Sequence, residues 1–259
     1  MKYIFLTVYL FTYLSIFTYS QSHRVYFSVG HNFPTSKAVL GNFQTNGSYE
    51  QYISTYSEGI VYQGGYQFAV IDNLLLDLNF NYLPGYKDEK YFSESDGGYL
   101  SYSNSFFSLA PCINIKIEIG KLEPYTKFGF SINFIKLETK RESGNPFSNI
   151  SFSNTYKGNA TFGLVGGLGI NFLFDKTITG FIETQLNSFT YYPTELEQTA
   201  IYSNGTKITT KYELKENVNT NSTNENVIPS QDFPFNSLAI IVGLRLVLWY
   251  SNLVKMQKG

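Results

Sequence analysis

Alternation of apolar and polar residues with a period of two, sustained over about ten residues and repeated eight times, limits this chain more than any other feature. Residues 73–82 show it plainly. Leu74, Leu76, Leu78, Phe80 and Tyr82 fall on one face, and Asp77, Asn79 and Asn81 make up most of the other. A helix would scatter these residues around its axis, whereas a strand, whose side chains point to alternate sides, sorts them. Residues 24–33, 59–71, 106–117, 124–134, 160–174, 178–189 and 237–249 behave in the same way. In 160–174, for example, Phe162, Leu164, Leu168, Ile170 and Phe172 oppose Thr161, Gly163, Gly167, Gly169 and Asn171.

The connections alternate in length. Residues 72–73, 120–123 and 175–177 are short turns, and 34–58, 83–98, 138–157 and 190–234 are long and polar. Eight strands with three tight turns at one end and four long loops at the other predict an all-β fold: an up-and-down, eight-stranded antiparallel transmembrane β-barrel. Its turns would be periplasmic and its loops extracellular. Lipid offers no hydrogen bonds, so a sheet with a free edge cannot sit in it, and closure is required. The competing reading is a soluble barrel or sandwich with the apolar faces turned inward. It fits less well, because the faces opposite the apolar ones are rich in Gly, Ser and Asn. They carry few of the Lys and Glu that a water-exposed face would show.

Composition agrees. Only 15% of the residues are charged, while 18% are aromatic, an excess of amphipathic rings suited to a long boundary between wet and apolar surroundings. A formal net charge of −1 gives no basic face for nucleic acid. The mean hydropathy of −0.14 resembles that of a soluble protein, as expected when half of every strand faces a polar interior. Cys112 is the one cysteine, which excludes an intrachain disulfide and argues against a thiolate metal site.

Residues 1–20 read as a signal peptide. Lys2 opens it, an apolar and aromatic run follows over 4–17, and Thr18 and Ser20 are small residues at −3 and −1 of a cut before Gln21. A membrane anchor is the weaker alternative for a segment this short. The barrel is expected over 21–250, with 251–259 as a short periplasmic tail.

Asp77, Lys116, Lys127, Glu183 and Arg245 are the clear charges on the inward faces, and Arg24 can join them. An eight-stranded barrel is just wide enough to be filled by its own side chains. Both signs occur in similar number, so a structural ion-pair and hydrogen-bond network is expected here, not a conducting path. His23 and His31 are the only histidines. His31, near the outer end of the first strand beside Ser28 and Asn32, is the one position for Ser–His chemistry, and a rim role is favoured over a catalytic one. Cys112 is expected to be a packed inward residue. Gly163 and Gly167 lie in a strand-like run with no helix after it, which removes a dinucleotide reading. No catalytic residues, cofactor or metal are assigned.

Function is expected on the loops, which scaffolds use for display. Asn204-Gly205 lies between alternating segments and predicts a projecting β-ribbon, and Asn46-Gly47 hints at another. The Asn/Ser/Thr-rich stretch 216–229 is expected to be mobile.

Three segments carry a family resemblance. Residues 121–134 (KLEPYTKFGFSINF) resemble the Pro-Tyr strand of the outer-membrane β-barrel domain common in Bacteroidetes, the group that includes PorT-like and OmpA-like eight-stranded barrels. Residues 162–175 (FGLVGGLGINFLFD) resemble its glycine-rich strand, and residues 237–246 its last strand. Such barrels usually end on an aromatic residue, whereas here Trp249-Tyr250 is followed by nine more residues. The resemblance implies a bacterial outer-membrane location. The filled lumen and long loops lead to a non-enzymatic structural or partner-binding role through the extracellular loops, and the resemblance implies the alternative, an accessory part in a secretion or envelope-assembly system. A narrow pore and a lipid-modifying enzyme rank behind these. Outer-membrane lipid, lipopolysaccharide and a protein at the loops are the expected partners.

Overall fold

The structure is a computed structural model that describes residues 23–45, 48–91, 99–142, 150–216 and 227–249. The signal peptide, the tail and the Asn46-Gly47 turn lie outside the described residues. In chain order the strands are β1 (His23–Pro34), β2 (Ala38–Thr45), β3 (Ser48–Ser54), β4 (Gly59–Ile71), β5 (Leu74–Tyr91), β6 (Tyr99–Lys116), β7 (Leu122–Glu142), β8 (Ser151–Lys157), β9 (Thr161–Leu173), β10 (Ile178–Tyr191), β11 (Glu195–Ile201), β12 (Lys207–Lys215), β13 (Val227–Pro229), β14 (Phe233–Pro234) and β15 (Ser237–Trp249).

Eight of these close on themselves. β1 pairs with β4, β4 with β5, β5 with β6, β6 with β7, β7 with β9, β9 with β10, β10 with β15, and β15 returns to β1, every pairing antiparallel. The fold is therefore an all-β, closed, eight-stranded antiparallel barrel. His23 lies opposite Trp249, so both described chain ends sit with the short turns. In one of those turns Asp175 Oδ1 accepts from the backbone N–H groups of Thr177 and Ile178, at 2.6 and 2.7 Å. These bonds hold its carboxyl below the usual range.

The wall is inside-out. On β15, Leu238, Ile240, Val242, Leu244, Leu246 and Leu248 face outward and are exposed, while Ser237, Ala239, Ile241 and Arg245 are buried. On β7, Phe128, Phe130 and Phe134 are more than half exposed, and Lys127, Ser131 and Asn133 are buried. The same sorting runs around all eight strands. The largest apolar patch on an ordinary soluble monomer is roughly 300–600 Å²; a belt encircling a barrel is the surface of a protein that crosses lipid with strands.

Beyond the barrel the strands do not give way to loops. β5, β6 and β7 run on past the belt, and β7 exchanges partners. Residues up to Asn133 pair with β9, and residues 137–142 pair with β8. β8 then pairs with β11 and β11 with β12, antiparallel, and β13 adds to β12 in parallel. Within the expected loops, residues 86–91, 138–142 and 151–157, and part of 190–234, thus form an outer sheet. Val227–Pro229, expected to be mobile, is a strand of it. The turn of β5 into this sheet is a register shift between Leu83 and Tyr86. Pro84-Gly85 resembles a strand terminator in sequence, but it is a bulge at the point where β5 leaves β4 and becomes the edge of the outer sheet. β2 and β3 form a separate two-stranded sheet.

Candidate functional site

The lumen is built in layers from the turn end outward. Glu123 anchors the first. Its carboxylate takes Lys116 Nζ at 2.9 Å, Arg24 Nη1 at 3.4 Å and Asn171 Nδ2 at 3.2 Å. Lys116 also reaches Glu118 at 2.7 Å on the rim. Asn171 in turn accepts from Arg245.

Arg245 leads into the second layer. Its guanidinium carbon lies 4.2, 4.5 and 5.6 Å from the ring centroids of Phe181, Tyr125 and Tyr26, so three ring faces surround one buried cation. Two glycines make room for the tyrosines. A Cβ on Gly65 would lie 2.3 Å from the Tyr26 ring, and one on Gly169 would lie 2.4 Å from the Tyr125 ring. Glycine within these strands seats a ring laid across the neighbouring strand. Both hydroxyls then end on acids: Tyr26 donates to Asp77 at 3.0 Å and Tyr125 to Glu183 at 2.7 Å. Gln67 also donates to Asp77, at 2.8 Å, and Lys127 pairs with Glu183 at 2.5 Å, both side chains about 1% exposed.

The five inward charges expected from sequence therefore lie in two groups. Lys116 belongs to the turn-end layer. Lys127, Glu183, Asp77 and Arg245 share the second, where Asp77 and Arg245 meet through Tyr26. Arg24 joins the first layer. Glu123, the centre of that layer, lies in β7 and not in the turn expected over 120–123; its period-two spacing with Tyr125 and Lys127 is the signal for it.

An amide layer follows. Gln63 donates to Asn81 at 3.0 Å and to Gln185 at 2.8 Å, and Gln185 donates to Asn187 at 2.7 Å. Cys112 is a buried free thiol beside Ala110 and Val165.

At the outer end lies a buried cluster of Tyr56, Leu83, Tyr102, Phe106, Leu137, Phe189, Tyr191, Phe233 and Phe235. Tyr56 and Phe233 come from segments expected to be polar loops. Their rings meet edge-on at 5.3 Å, and Phe189 stacks on Phe235 at 5.2 Å. Hydrogen bonds strap both segments down: Ser57 Oγ and the Thr35 N–H donate to the Asn236 carbonyl, and Ser36 Oγ to that of Pro234.

The histidines do not meet a nucleophile. His23 Nδ1 contacts the Tyr66 hydroxyl at the turn end. His31 lies tilted against Phe33 on the outer wall, whereas Asn32 is buried and Ser28 donates to Gln63 inside. Ser28 and His31 are thus on opposite sides of the barrel wall. Among the described residues, no three His, Cys, Asp or Glu side chains converge as metal ligands.

On the outer sheet, Asn204-Gly205 sits at the tip between β11 and β12. Gly205 N–H donates to Tyr202 O at 2.9 Å, Asn204 Oδ1 accepts from Thr206 N–H at 2.9 Å, and Gly205 has φ +81°. Lys157 contacts Glu197 across the sheet. That hydrogen bond raises the Lys157 ammonium above its ordinary range and lowers the Glu197 carboxyl below its own.

No protein-family model matches the sequence, and no curated protein matches it. The Bacteroidetes resemblance is carried by its three segments alone. Among solved structures the chain is similar to the outer membrane protein OprG from Pseudomonas aeruginosa, at 8% identity over 90% of this chain and 97% of that one, with a TM-score of 0.47. It is also similar to Neisserial surface protein A, at 10% identity over 88% and 98% with a TM-score of 0.41. A third is Ail, the attachment invasion locus protein of Yersinia pestis, at 10% identity over 88% and 99% with a TM-score of 0.36. At these values the closed barrel stands on its own strand pairing.

Proposed function

We propose that this chain is an integral barrel of a bacterial outer membrane. It does not catalyse a reaction, its lumen is held shut by side chains, and its working surface is the outer sheet. The observation that supports this most is the sorting of the wall: exposed Phe, Leu and Ile all around the outside, ion pairs and amides within. In water the apolar outside would drive aggregation, whereas in lipid it is the favourable surface, and the ions within are tolerated because they are paired.

Layered charge, amide and aromatic groups leave no single-sign path, which supports a plug over a pore. The separation of His31 from Ser28 by the wall supports a non-enzymatic role. Heat-modifiable gel migration tests the barrel: the folded form runs ahead of the boiled form, and a soluble chain with no shift would sink the proposal. Planar bilayers test the plug: purified protein gives no stable open channels, and regular conductance steps would overturn it.

The accessory role in secretion or envelope assembly implied by the family resemblance is the second reading. The outer sheet favours it, being a long rigid surface that a partner can read. Crosslinking in membranes followed by co-purification would separate the two, since stable envelope-machinery partners support the accessory role.

A further inference from the structure

On one side the outer sheet ends at β12, and the phase of its hydrogen bonds decides which backbone groups face away from the molecule. Tyr202 N–H donates to Thr206 O and Leu214 N–H to Thr194 O, both at 2.9 Å. Bonded pairs alternate along an antiparallel ladder. In the β11–β12 register, Ile208, Thr210 and Tyr212 therefore turn their N–H and C=O groups toward β11, and Lys207, Thr209 and Lys211 turn theirs the other way. The 3.0 Å contact between the Thr199 and Thr209 hydroxyls fits this phase, because side chains approach most closely at pairs that exchange no backbone bond.

On the far side β13 pairs with Glu213–Lys215, and Ser230 N–H donates to the Lys215 carbonyl. Among the described residues no strand pairs with 207–212 on that side. The N–H and C=O groups of Lys207, Thr209 and Lys211 thus continue the line on which β13 is already seated. The row Leu137, Tyr156, Leu196 and Tyr212 crosses the sheet just beyond Phe134, so this edge climbs from the belt into water.

Side chains decide what can join it. Lys207, Thr209 and Lys211 lie on one face, and Ile208, Thr210 and Tyr212 on the other; Lys207 and Ile208 are exposed. Lys211 leans on Glu195 at 3.8 Å, whereas Lys207 has no ionic partner among the described residues. Lysines on an edge repel a second copy of the same edge and attract a strand that carries acids in register with them.

We propose that the 207–212 edge receives an extended strand of a partner protein, with acids opposite Lys207 and Lys211 and an apolar residue opposite Ile208. The added strand is antiparallel to β12, the more stable ladder. Backbone bonds to Lys207, Thr209 and Lys211 hold it, and side-chain alternation selects its sequence. The proposal rests on the outer sheet being the working surface.

The test is residue-resolved hydrogen exchange by NMR on the full chain in detergent micelles, alone and with the end-blocked synthetic peptide Glu-Val-Thr-Val-Glu. Alone, the Lys207, Thr209 and Lys211 amides should exchange roughly tenfold faster than those of Ile208, Thr210 and Tyr212. At saturating peptide the fast set should slow by about five- to tenfold, the worth of one hydrogen bond each. N-methylation of the peptide's threonine should abolish the slowing, and N-methylation of either valine should not. The rearranged peptide Val-Glu-Thr-Glu-Val, of the same composition, should have no effect. Lys207→Glu should remove the preference for Glu-Val-Thr-Val-Glu over Lys-Val-Thr-Val-Lys. Slow exchange at 207, 209 and 211 without peptide would overturn the proposal, because the edge would then be covered within the chain. No slowing by the first peptide, or equal slowing by the rearranged one, would overturn it too. Slowing elsewhere on the outer sheet, with none at this edge, would keep the sheet as the working surface and remove only the edge assignment.

Discussion

The two halves of β7 are one continuous strand in two solvents. Over 122–134 the outward side chains include Phe128, Phe130 and Phe134, and the inward ones are Lys127, Ser131 and Asn133. Over 135–142 the outward ones become Lys136, Glu138, Lys140 and Glu142, and the inward Leu137 joins an aromatic cluster. The pleat never breaks, but the outward face turns polar, and past Leu137 the other face is polar too, at Thr139 and Arg141. Polar residues lie where lipid is absent, and the same period of two builds a membrane wall below and a water-facing sheet above.

Charge behaves oppositely in the two halves as well. Lys127–Glu183 is sealed inside the barrel, and Lys136–Glu138, at 2.9 Å, is largely in water. A lone buried charge is costly while an exposed one is solvated, so the sharpest way to break the comparison is to remove one partner of the buried pair. Glu183→Leu should destabilise the folded barrel by about 3–5 kcal/mol, read from the urea dependence of the fast-migrating form. Lys127→Leu combined with Glu183→Leu should recover most of that loss. A double variant no better than the single would mean that the network, and not the orphaned ammonium, carries the cost.

The next effect in size is on the outer wall. Phe130→Arg should cost about 2–4 kcal/mol near the middle of the lipid, as arginine does on the lipid face of barrels. Glu138→Arg, eight residues further along the same face, should stay within about 0.5 kcal/mol. Similar costs at both positions would erase the distinction between the halves.

How much of this was legible in the sequence follows from the same change. The eight wall strands were readable because one face is apolar and the other is not. The outer sheet was not, because with water outside the belt and polar ladders such as Thr199–Thr209 within it, neither face stands out. Tyr56 and Phe233 do not read as plug residues because neither lies in an alternating run long enough to mark a strand. Arg245 could be placed inside, but its cradle could not, since Tyr26, Tyr125 and Phe181 come from three different strands. Glu123 falls inside the turn expected over 120–123, which ends two residues earlier because β7 begins at Leu122.

Smaller effects sharpen the outer half. Gly205→Ala places a side chain at φ +81° and should cost about 1 kcal/mol, visible as faster proteolysis at the β11–β12 tip with the barrel unchanged. Lys157→Ala should leave barrel stability unchanged. The Lys157–Glu197 pair adds its contribution at neutral pH. Glu197 is lowered, so its part is present above the ordinary Glu range and is lost as pH falls through the depressed value. Lys157 is raised, so its part is lost as pH rises through the elevated one. A proteolysis profile of the ribbon that is flat across neutral pH and steeper at both extremes checks these signs.

The most direct measurement is a nitroxide scan along the outward face of β7. It is made in proteoliposomes on a Cys112→Ala background, with Phe128→Cys, Phe130→Cys, Phe134→Cys, Lys136→Cys, Glu138→Cys and Lys140→Cys labelled one at a time. Labels at 128, 130 and 134 should collide with oxygen and be shielded from a water-soluble nickel complex, and labels from 136 onward should show the reverse. Access of the nickel complex at 128 and 130 would contradict the account, because the apolar belt would then face water.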